Sequence, residues 1–302
     1  MITIVAHDAG GAEVLSSYVR RNDIDCNFVL EGPAVKIFKR KLGNIEIISL
    51  DEAMEKSEWI LCGSSIPAEF ELNAIKKARL DGKHSVVFLD HWINYQERFA
   101  RHNFEVLPDE IWVGDSLAKE LAEQIFPDID IRLVNNPYFE DIQQDIKNVS
   151  LQKNEESDNL TILFVSQPLG INALNSTNRA LNRGYTEEEA LRYFLNNVHA
   201  LGKPVDQIII RPHPSEDPGK YEWANEEFSL PIVLASGGDL LEVVSKSDVV
   251  VGMDSMAMVV GLLAGKRVIC SIPPGGKPCR LPHSEIQTLS QVLICYRQAA
   301  HS

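Results

Sequence analysis

The feature that most constrains this chain is an alternation. Short apolar runs recur along it, each followed by a glycine, proline or polar break and then a helix-periodic stretch. In the first half the runs are Ile2 to Ala6, Cys26 to Leu30, Ile45 to Ile48, Trp59 to Cys62, Ser85 to Leu89, Ile111 to Val113 and Ile131 to Val134. Helical stretches separate them: Ala12 to Arg21, Gly32 to Lys41, Asp51 to Lys56, Pro67 to Leu80 and Asp115 to Ile125. Runs this short, apolar without a polar face, predict strands covered on both sides. Strands that alternate with helices form right-handed βαβ units around a parallel sheet.

The alternation is interrupted once. Lys147 to Asn159 is polar and charged, which predicts a linker between two domains, 1–152 and 153–302. A second set of strands follows at Leu160 to Val165, Ile208 to Ile210, Ile232 to Leu234, Val249 to Val251 and Val268 to Ile272. Thr186 with Glu189 is a capping box that opens a helix through Ala200. Ile171 to Gly184 is irregular and long enough to be functional. The last twenty residues predict a helix that can cross back to the first domain. The expected fold is α/β: two Rossmann-like domains whose parallel sheets face each other across a cleft.

Charge and cysteine usage exclude some functions. A formal net charge of −14 over 302 residues opposes nucleic-acid binding and docking on anionic membranes. The five cysteines include no C-x-x-C pair, which predicts a reducing, cytoplasmic setting. There is no basic leader before the first strand and no apolar run of membrane-spanning length. No Cys/His cluster or Walker lysine is present, and Asp128-Ile129-Asp130 runs into a strand, so no metal or cofactor is expected.

Two stretches of the second half carry chemistry. In Gln207 to Glu216, Q-I-I-I-R-P-H-P-S-E, a buried strand stops at two prolines that hold Arg211 and His213 in extended geometry. Ligands of open α/β sheets bind beyond such carboxyl ends. In Val249 to Met258 a strand runs through Gly252 into Asp254 and Ser255, one of which caps a helix whose N-terminus suits a phosphate. Asp and Ser are common caps in any case, so position gives this stretch its weight.

These motifs, with G-G-D-L-L-E before S-D-V-V-V-G-M-D-S-M and L-L-A-G-K-R-V-I after it, resemble the C-terminal half of GT-B nucleotide-sugar enzymes. They are similar to bacterial sialyltransferases and capsule Kdo-transferases, to CDP-glycerol glycerophosphotransferases, and to the non-hydrolysing UDP-N-acetylglucosamine 2-epimerases. The resemblance spans about residues 160–275 by motif. It implies that His213 meets the donor phosphate, with Arg211 adding charge there or pairing with Glu216. It implies that Ser255, beside Asp254, binds the phosphate, that Ser236, Gly237 and Gly238 lie near the base or ribose, and that Ser166 and Gln167 face the donor. The chain has one serine in D-S-M, lacks the epimerase D-S-G-G-x-x-E-E, and matches the sialyltransferase acid motif only loosely at His7-Asp8-Ala9-Gly10.

The base that activates an acceptor hydroxyl is therefore sought in the first half. Asp8 and His7 precede a Gly-Gly loop, and Asp90 and His91 precede Trp92 and Tyr95, aromatics suited to stacking on a sugar. Asp8 is favoured, with His7 second, because the glycines leave room for a substrate. The leading expectation is a metal-independent glycosyltransferase that moves a sugar from a nucleotide donor to a sugar or glycolipid acceptor, with a homodimer left open. The alternatives are a nucleotide-sugar hydrolase or 2-epimerase, and a non-catalytic nucleotide or sugar-phosphate binding protein.

Overall fold

The computed structural model describes residues 1–66, 69–101, 104–150, 158–169, 183–213, 215–235 and 237–300. The chain divides into two compact units, Met1–Asp141 and Ile142–Ser302. Helix Pro137–Ser150 carries the chain from one to the other. Lys147 to Ser150 of the expected linker are thus helical, and the expected boundary at 152 lies outside the described residues.

Unit 1 is built on strands β1 (Ile2–Ala6), β2 (Cys26–Leu30), β3 (Trp59–Cys62) and β4 (His84–Leu89), a short antiparallel hairpin of β5 (Ala100–Arg101) and β6 (Phe104–Glu105), then β7 (Glu110–Val113) and β8 (Asp130–Leu133). Its main sheet runs β2-β1-β3-β4-β7-β8 and every pairing in it is parallel. All five residues of β1 are buried, because helices cover both faces of a strand inside the sheet. Ile4, Leu61 and Phe88 meet Leu15 and Phe38 from the helices in one core.

Unit 2 repeats the plan with β9 (Leu160–Val165), β10 (Val205–Arg211), β11 (Ile232–Leu234), β12 (Val249–Gly252), β13 (Arg267–Cys270) and β14 (Gln287–Thr288), ordered β11-β10-β9-β12-β13-β14 and all parallel. Ile208 and Ile210 are fully buried among Phe164, Phe194 and Val251, while Ile209 is half-buried. The last helix, Leu289–Ala300, packs within this unit, where Tyr296 meets His199 edge-on at 5.5 Å.

Each sheet winds outward in one direction and then restarts on the other side of its first strand. The reversal falls between β1 and β3 in unit 1 and between β9 and β12 in unit 2. Such a reversal opens a crevice at the carboxyl ends of the two strands, the usual ligand position of this architecture.

Some elements differ from the sequence reading. Ile45 to Ile48 is not a strand: it makes a single bridge, Ile47 to Phe28, beside the edge strand β2, and Ile47 stays exposed. The helix after Thr186 ends at Asn196 and continues as a 3-10 turn, Val198–Leu201, where Asn197 folds its side chain back onto the Tyr193 carbonyl at 2.7 Å. The capping box itself forms, with Glu189 N–H on Thr186 Oγ1 at 3.1 Å and Thr186 N–H on Glu189 Oε2 at 2.7 Å.

Candidate functional site

In unit 1 the reversal brings together the ends of β1, β3 and β4. His7 follows β1 directly, and Asp8 takes the N-cap position of helix Ala9–Asn22. Asp8 makes no capping bond. Its Oδ1 instead meets His7 Nδ1 at 2.7 Å. The proton between them sits on Nδ1, which leaves the lone pair of Nε2 as the acceptor. That nitrogen lies against Gly32, where φ is +53° and an added Cβ would come within 2.9 Å of it. A side chain at 32 would be both strained and in collision with the ring.

Glu71, from the first turn of helix Phe70–Leu80, closes this group from below. It is 3% exposed, accepts the His7 N–H at 2.8 Å through Oε1, and accepts the Ser65 hydroxyl at 2.5 Å through Oε2. Burial pushes its pKa up, and the charge of Asp8 adds to the rise.

Asp90 has a different role from Asp8. Its Oδ1 accepts Arg98 Nη1 at 2.9 Å and the Ser64 hydroxyl at 3.2 Å, and both partners of the ion pair are nine-tenths buried. Its Oδ2 presses on Gly10, where an added Cβ would stand only 1.9 Å away. The glycine pair after Asp8 therefore makes room for the chain itself. Gly10 admits Asp90, and Gly11 lets the helix rest on the β3 loop, where its Cβ would meet Gly63 Cα at 3.0 Å. His91 is also engaged: its Nδ1 accepts the Trp92 N–H at 2.9 Å. Trp92 and Tyr95 do not offer stacking faces. Both are buried, Trp92 donates Nε1–H to Asp115 at 3.0 Å, and its ring stacks on Phe139 at 6.0 Å. A bulky ring at a strand exit fills space under the loop more readily than it stands in water.

In unit 2 the strand β10 ends on Arg211. Its guanidinium donates to the carbonyls of Gly237 at 3.2 Å and Gly238 at 2.8 Å. Both glycines have positive φ, which turns those carbonyls toward β10. Glu216 pairs instead with Lys220 at 2.9 Å, so no carboxylate offsets the Arg211 charge in these contacts. Glu216 is buried and accepts the His213 N–H at 2.8 Å and the Tyr221 hydroxyl at 2.9 Å. Burial works to raise its pKa, but the bonds from His213, Lys220, Ser166 and Tyr221 outweigh burial and hold it down.

The His213 ring is oriented by Ser215, whose N–H reaches Nδ1 at 3.2 Å and whose hydroxyl lies 2.8 Å from it. Nδ1 is thus the acceptor and Nε2 carries the hydrogen. Loss of water around the ring lowers the His213 pKa below 6.5, against the opposing pull of Glu216. At neutral pH it is an uncharged donor. Ser166 does not face outward: it is buried and hydrogen-bonded to the Tyr221 hydroxyl. Gln167 follows it with a buried side-chain oxygen that has no partner among the described residues. Ser236 lies outside the described residues.

At the other side of the reversal, β12 leads into Asp254 and Ser255. Asp254 is fully buried and accepts Arg183 Nη2 at 2.9 Å and Arg280 Nε at 2.8 Å on one oxygen. Ser255 takes the N-cap position of helix Met256–Leu263 but makes no capping bond, and its hydroxyl has no partner among the described residues. Ser49, Asp115, Thr186 and Asp239 hold the same position on other helices and do cap them. An absent cap of this kind costs about 1 kcal/mol. The described helices that start on an uncapping Asp or Ser are the ones beside the two reversals.

The sequence reading did not single out Glu71, Arg98, Lys220, Tyr221, Arg183 or Arg280. Glu71 and Lys220 carried a weak signal, one in the first turn after the Gly63-Ser64-Ser65 turn and the other four residues after Glu216. Arg98, Arg183 and Arg280 reach their partners only through the fold. Among the described residues no group of three or more His, Cys, Asp or Glu is placed to hold a metal ion, and no helix is long and apolar enough to cross a membrane.

No protein-family model matches the sequence, and no curated protein matches it. Solved structures do share the fold. The UDP-GlcNAc 2-epimerase of Methanocaldococcus jannaschii aligns with a TM-score of 0.59 at 13% identity, over 100% of this chain and 99% of its own. A putative UDP-N-acetylglucosamine 2-epimerase of Listeria monocytogenes gives 0.58 at 13% identity, over 89% and 78%. The glycotransferase of kitacinnamycin gives 0.55 at 12% identity, over 100% and 90%. The chain therefore has the two-domain α/β architecture called GT-B, the fold its motifs resemble.

Proposed function

We propose that the protein is a glycosyltransferase that uses a nucleotide-activated sugar and no metal. Unit 2 binds the donor phosphate through His213 Nε2–H, Arg211, Ser255 and the N-terminus of its helix. Unit 1 removes the proton from an acceptor hydroxyl through His7 Nε2, with Asp8 holding the imidazole in the tautomer that can accept. This reverses the order that the glycine loop suggests, in which Asp8 itself is the base. The observation that carries the reading is the pair of uncapped helix starts, Asp8 and Ser255, whose side chains are withheld from their own helices at the two sheet reversals. Of the two, Ser255 Oγ has no partner among the described residues and is available to a ligand, while Asp8 spends its carboxylate on His7 Nδ1 and on the Ile66 N–H at 3.4 Å and acts through the imidazole.

In this reading a sugar–phosphate bond breaks and the electron pair leaves with the nucleotide, whose growing negative charge meets the donors of unit 2. The acceptor proton passes to His7 as its oxygen bonds to the sugar. Isothermal titration of the full chain with CMP-, CDP-, UDP- and GDP-sugars is the test. Binding of one of them, weakened by His213→Ala, supports the reading, and no binding overturns it. A second reading, a hydrolase or 2-epimerase, is favoured by the same His7–Asp8 pair, which can deprotonate water as well as a hydroxyl. Nucleotide release at full rate without any acceptor would select the hydrolase, and a changed sugar configuration with no net nucleotide release the 2-epimerase.

A further inference from the structure

We infer that Cys270 and Cys279 are a peroxide-reactive thiol pair that closes to a disulfide, and that the closed form holds the donor more weakly. The disulfide stands on its own observations, and only the effect on the donor rests on the reading above. Cys270 ends β13 and is buried, with its Sγ 3.3 Å from the Met253 carbonyl. Cys279 lies half-buried in the loop that follows.

The loop brings the second thiol back to the first. The Gly276 N–H meets the Pro273 carbonyl at 3.0 Å, which turns the chain, and Arg183 Nη2 holds the Pro278 carbonyl at 2.8 Å. The same nitrogen holds Asp254, the residue after Met253, at 2.9 Å. Arg183 thus ties the chain beside one sulfur to the chain beside the other, and the two thiols meet in a side-chain hydrogen bond. That contact and burial drive the Cys270 pKa up. The same contact, helped by the Leu281 N–H, outweighs burial at Cys279 and draws its pKa down. Other cysteines differ: burial pushes the Cys26 pKa up to about 12 and that of the fully buried Cys62 well above its ordinary value. Thiols of that kind pack as small hydrophobes and stay inert.

The thiolate is the reactive form, so Cys279 meets the oxidant first. Its sulfur attacks one oxygen of a hydroperoxide: the S–O bond forms, the O–O bond breaks, and the other oxygen takes a proton and leaves as water or an alcohol. Cys279 is then a sulfenic acid, oxidised by the two electrons that the peroxide has gained. Cys270 gives up its proton and attacks that sulfur, the S–S bond forms, and the sulfenic oxygen leaves as water. Small thiols reverse the bond by exchange. An S–S bond is about 2.05 Å long, shorter than any contact between two thiols, so closure draws Cys279 inward with Pro278 and Arg280 on either side of it. Those neighbours hold Arg183 and Asp254, and Asp254 precedes Ser255 at the uncapped helix start. Closure therefore displaces the helix start that the donor phosphate would meet.

The test exposes the full chain to hydrogen peroxide, with Cys295→Ser to remove the exposed thiol, and reads intact mass and disulfide-linked peptides. The expected product has lost two hydrogens through a Cys270–Cys279 link, and dithiothreitol restores the starting mass. Cys279→Ser should form no link, and Cys270→Ala should stop at the sulfenic acid, which dimedone traps. A link between other cysteines, or none, would overturn the inference. Titration of both forms with the CMP-, CDP-, UDP- and GDP-sugars reads the effect on the donor. Affinity is expected to fall about tenfold on closure, the scale of one charge-assisted contact, and to stay unchanged in peroxide-treated Cys279→Ser. Equal affinities of the open and closed forms would overturn that effect. If neither form binds any of the sugars, the donor-site reading fails and takes the effect with it, while the mass measurement still decides the disulfide.

Discussion

His7 and His213 stand at strand exits in different units, and the chain holds them in the same way. Each backbone N–H is accepted by a buried glutamate at 2.8 Å, Glu71 in one case and Glu216 in the other. Each glutamate also takes a hydroxyl, from Ser65 or Tyr221. The charges around the two devices are opposite. Asp8 stands by Glu71, whose pKa is driven up first by burial. Lys220 stands by Glu216, whose pKa is held down, and Arg211 lies two residues before His213. The tautomers are opposite as well: His7 presents a lone pair on Nε2, His213 a hydrogen. One anchoring arrangement therefore yields an acceptor in a negative setting and a donor in a positive one. A transferase needs both, a base for the acceptor and a stabiliser for the leaving phosphate.

The comparison breaks most visibly at Asp8. Asp8→Asn removes the carboxylate that fixes the His7 tautomer. Turnover should fall about 10²–10⁴-fold, the usual worth of an oriented base, while donor affinity by titration stays within about twofold. A parallel loss of donor affinity would mean that the two histidines do not divide the work. His213→Ala is the converse. It removes a neutral donor from a phosphate oxygen, worth about 1.5–3 kcal/mol, so donor affinity should weaken about 10–100-fold in the same titration. If turnover at saturating donor is lost but affinity is kept, His213 acts on the reacting bond and not on binding.

Much of the scaffold is legible in the sequence because its signals are local. Apolar runs such as Val249 to Val251, the Thr186 capping box and the Asp115 cap depend on residues a few positions apart. His7, Asp8, His213 and Ser255 are found the same way, as polar residues just past a strand. What surrounds them is not local. Glu71 lies 64 positions from His7, Arg98 eight positions from Asp90 on a short helix, and Arg183 71 positions from Asp254. Periodicity has nothing to say about such pairs. Gly10, Trp92 and Ser166 make packing contacts that local signals do not show, for a related reason. Room beside a glycine, or a polar group at a strand end, is filled by the nearest part of the chain before any ligand, here by Asp90, Phe139 and Tyr221.

The two glutamates offer a smaller and cleaner contrast. Glu71 has a folded pKa above its unfolded value, so the folded state holds that proton more tightly. Its contribution to stability is complete below the unfolded pKa, near 4.3, and is lost as pH rises through the folded value. Glu216 has a depressed folded pKa, so its contribution is present above about 4.3 and is lost as pH falls through the folded value. Glu71→Gln and Glu216→Gln each disturb bonds worth of order 1–3 kcal/mol. Urea unfolding from about pH 3 to 8 should show the Glu216→Gln deficit growing up to about pH 4.3 and then level, and the Glu71→Gln deficit level below about 4.3 and shrinking above it. Parallel curves would mean that the two settings do not differ in sign.

The smallest effect is also the most direct. Nitrogen-15 spectra of the imidazoles report which ring nitrogen carries the hydrogen. His213 should show a protonated Nε2 at pH 7 and titrate below 6.5, because loss of water around its ring disfavours the cation. His7 should show the hydrogen on Nδ1, and Asp8→Asn should release it to a mixture of tautomers. Ser215→Ala should leave His7 unchanged and loosen His213, since it removes the hydroxyl but not the N–H that meets Nδ1. Should both rings carry the hydrogen on the same nitrogen, their division into acceptor and donor fails at its source, whatever the kinetics of the variants.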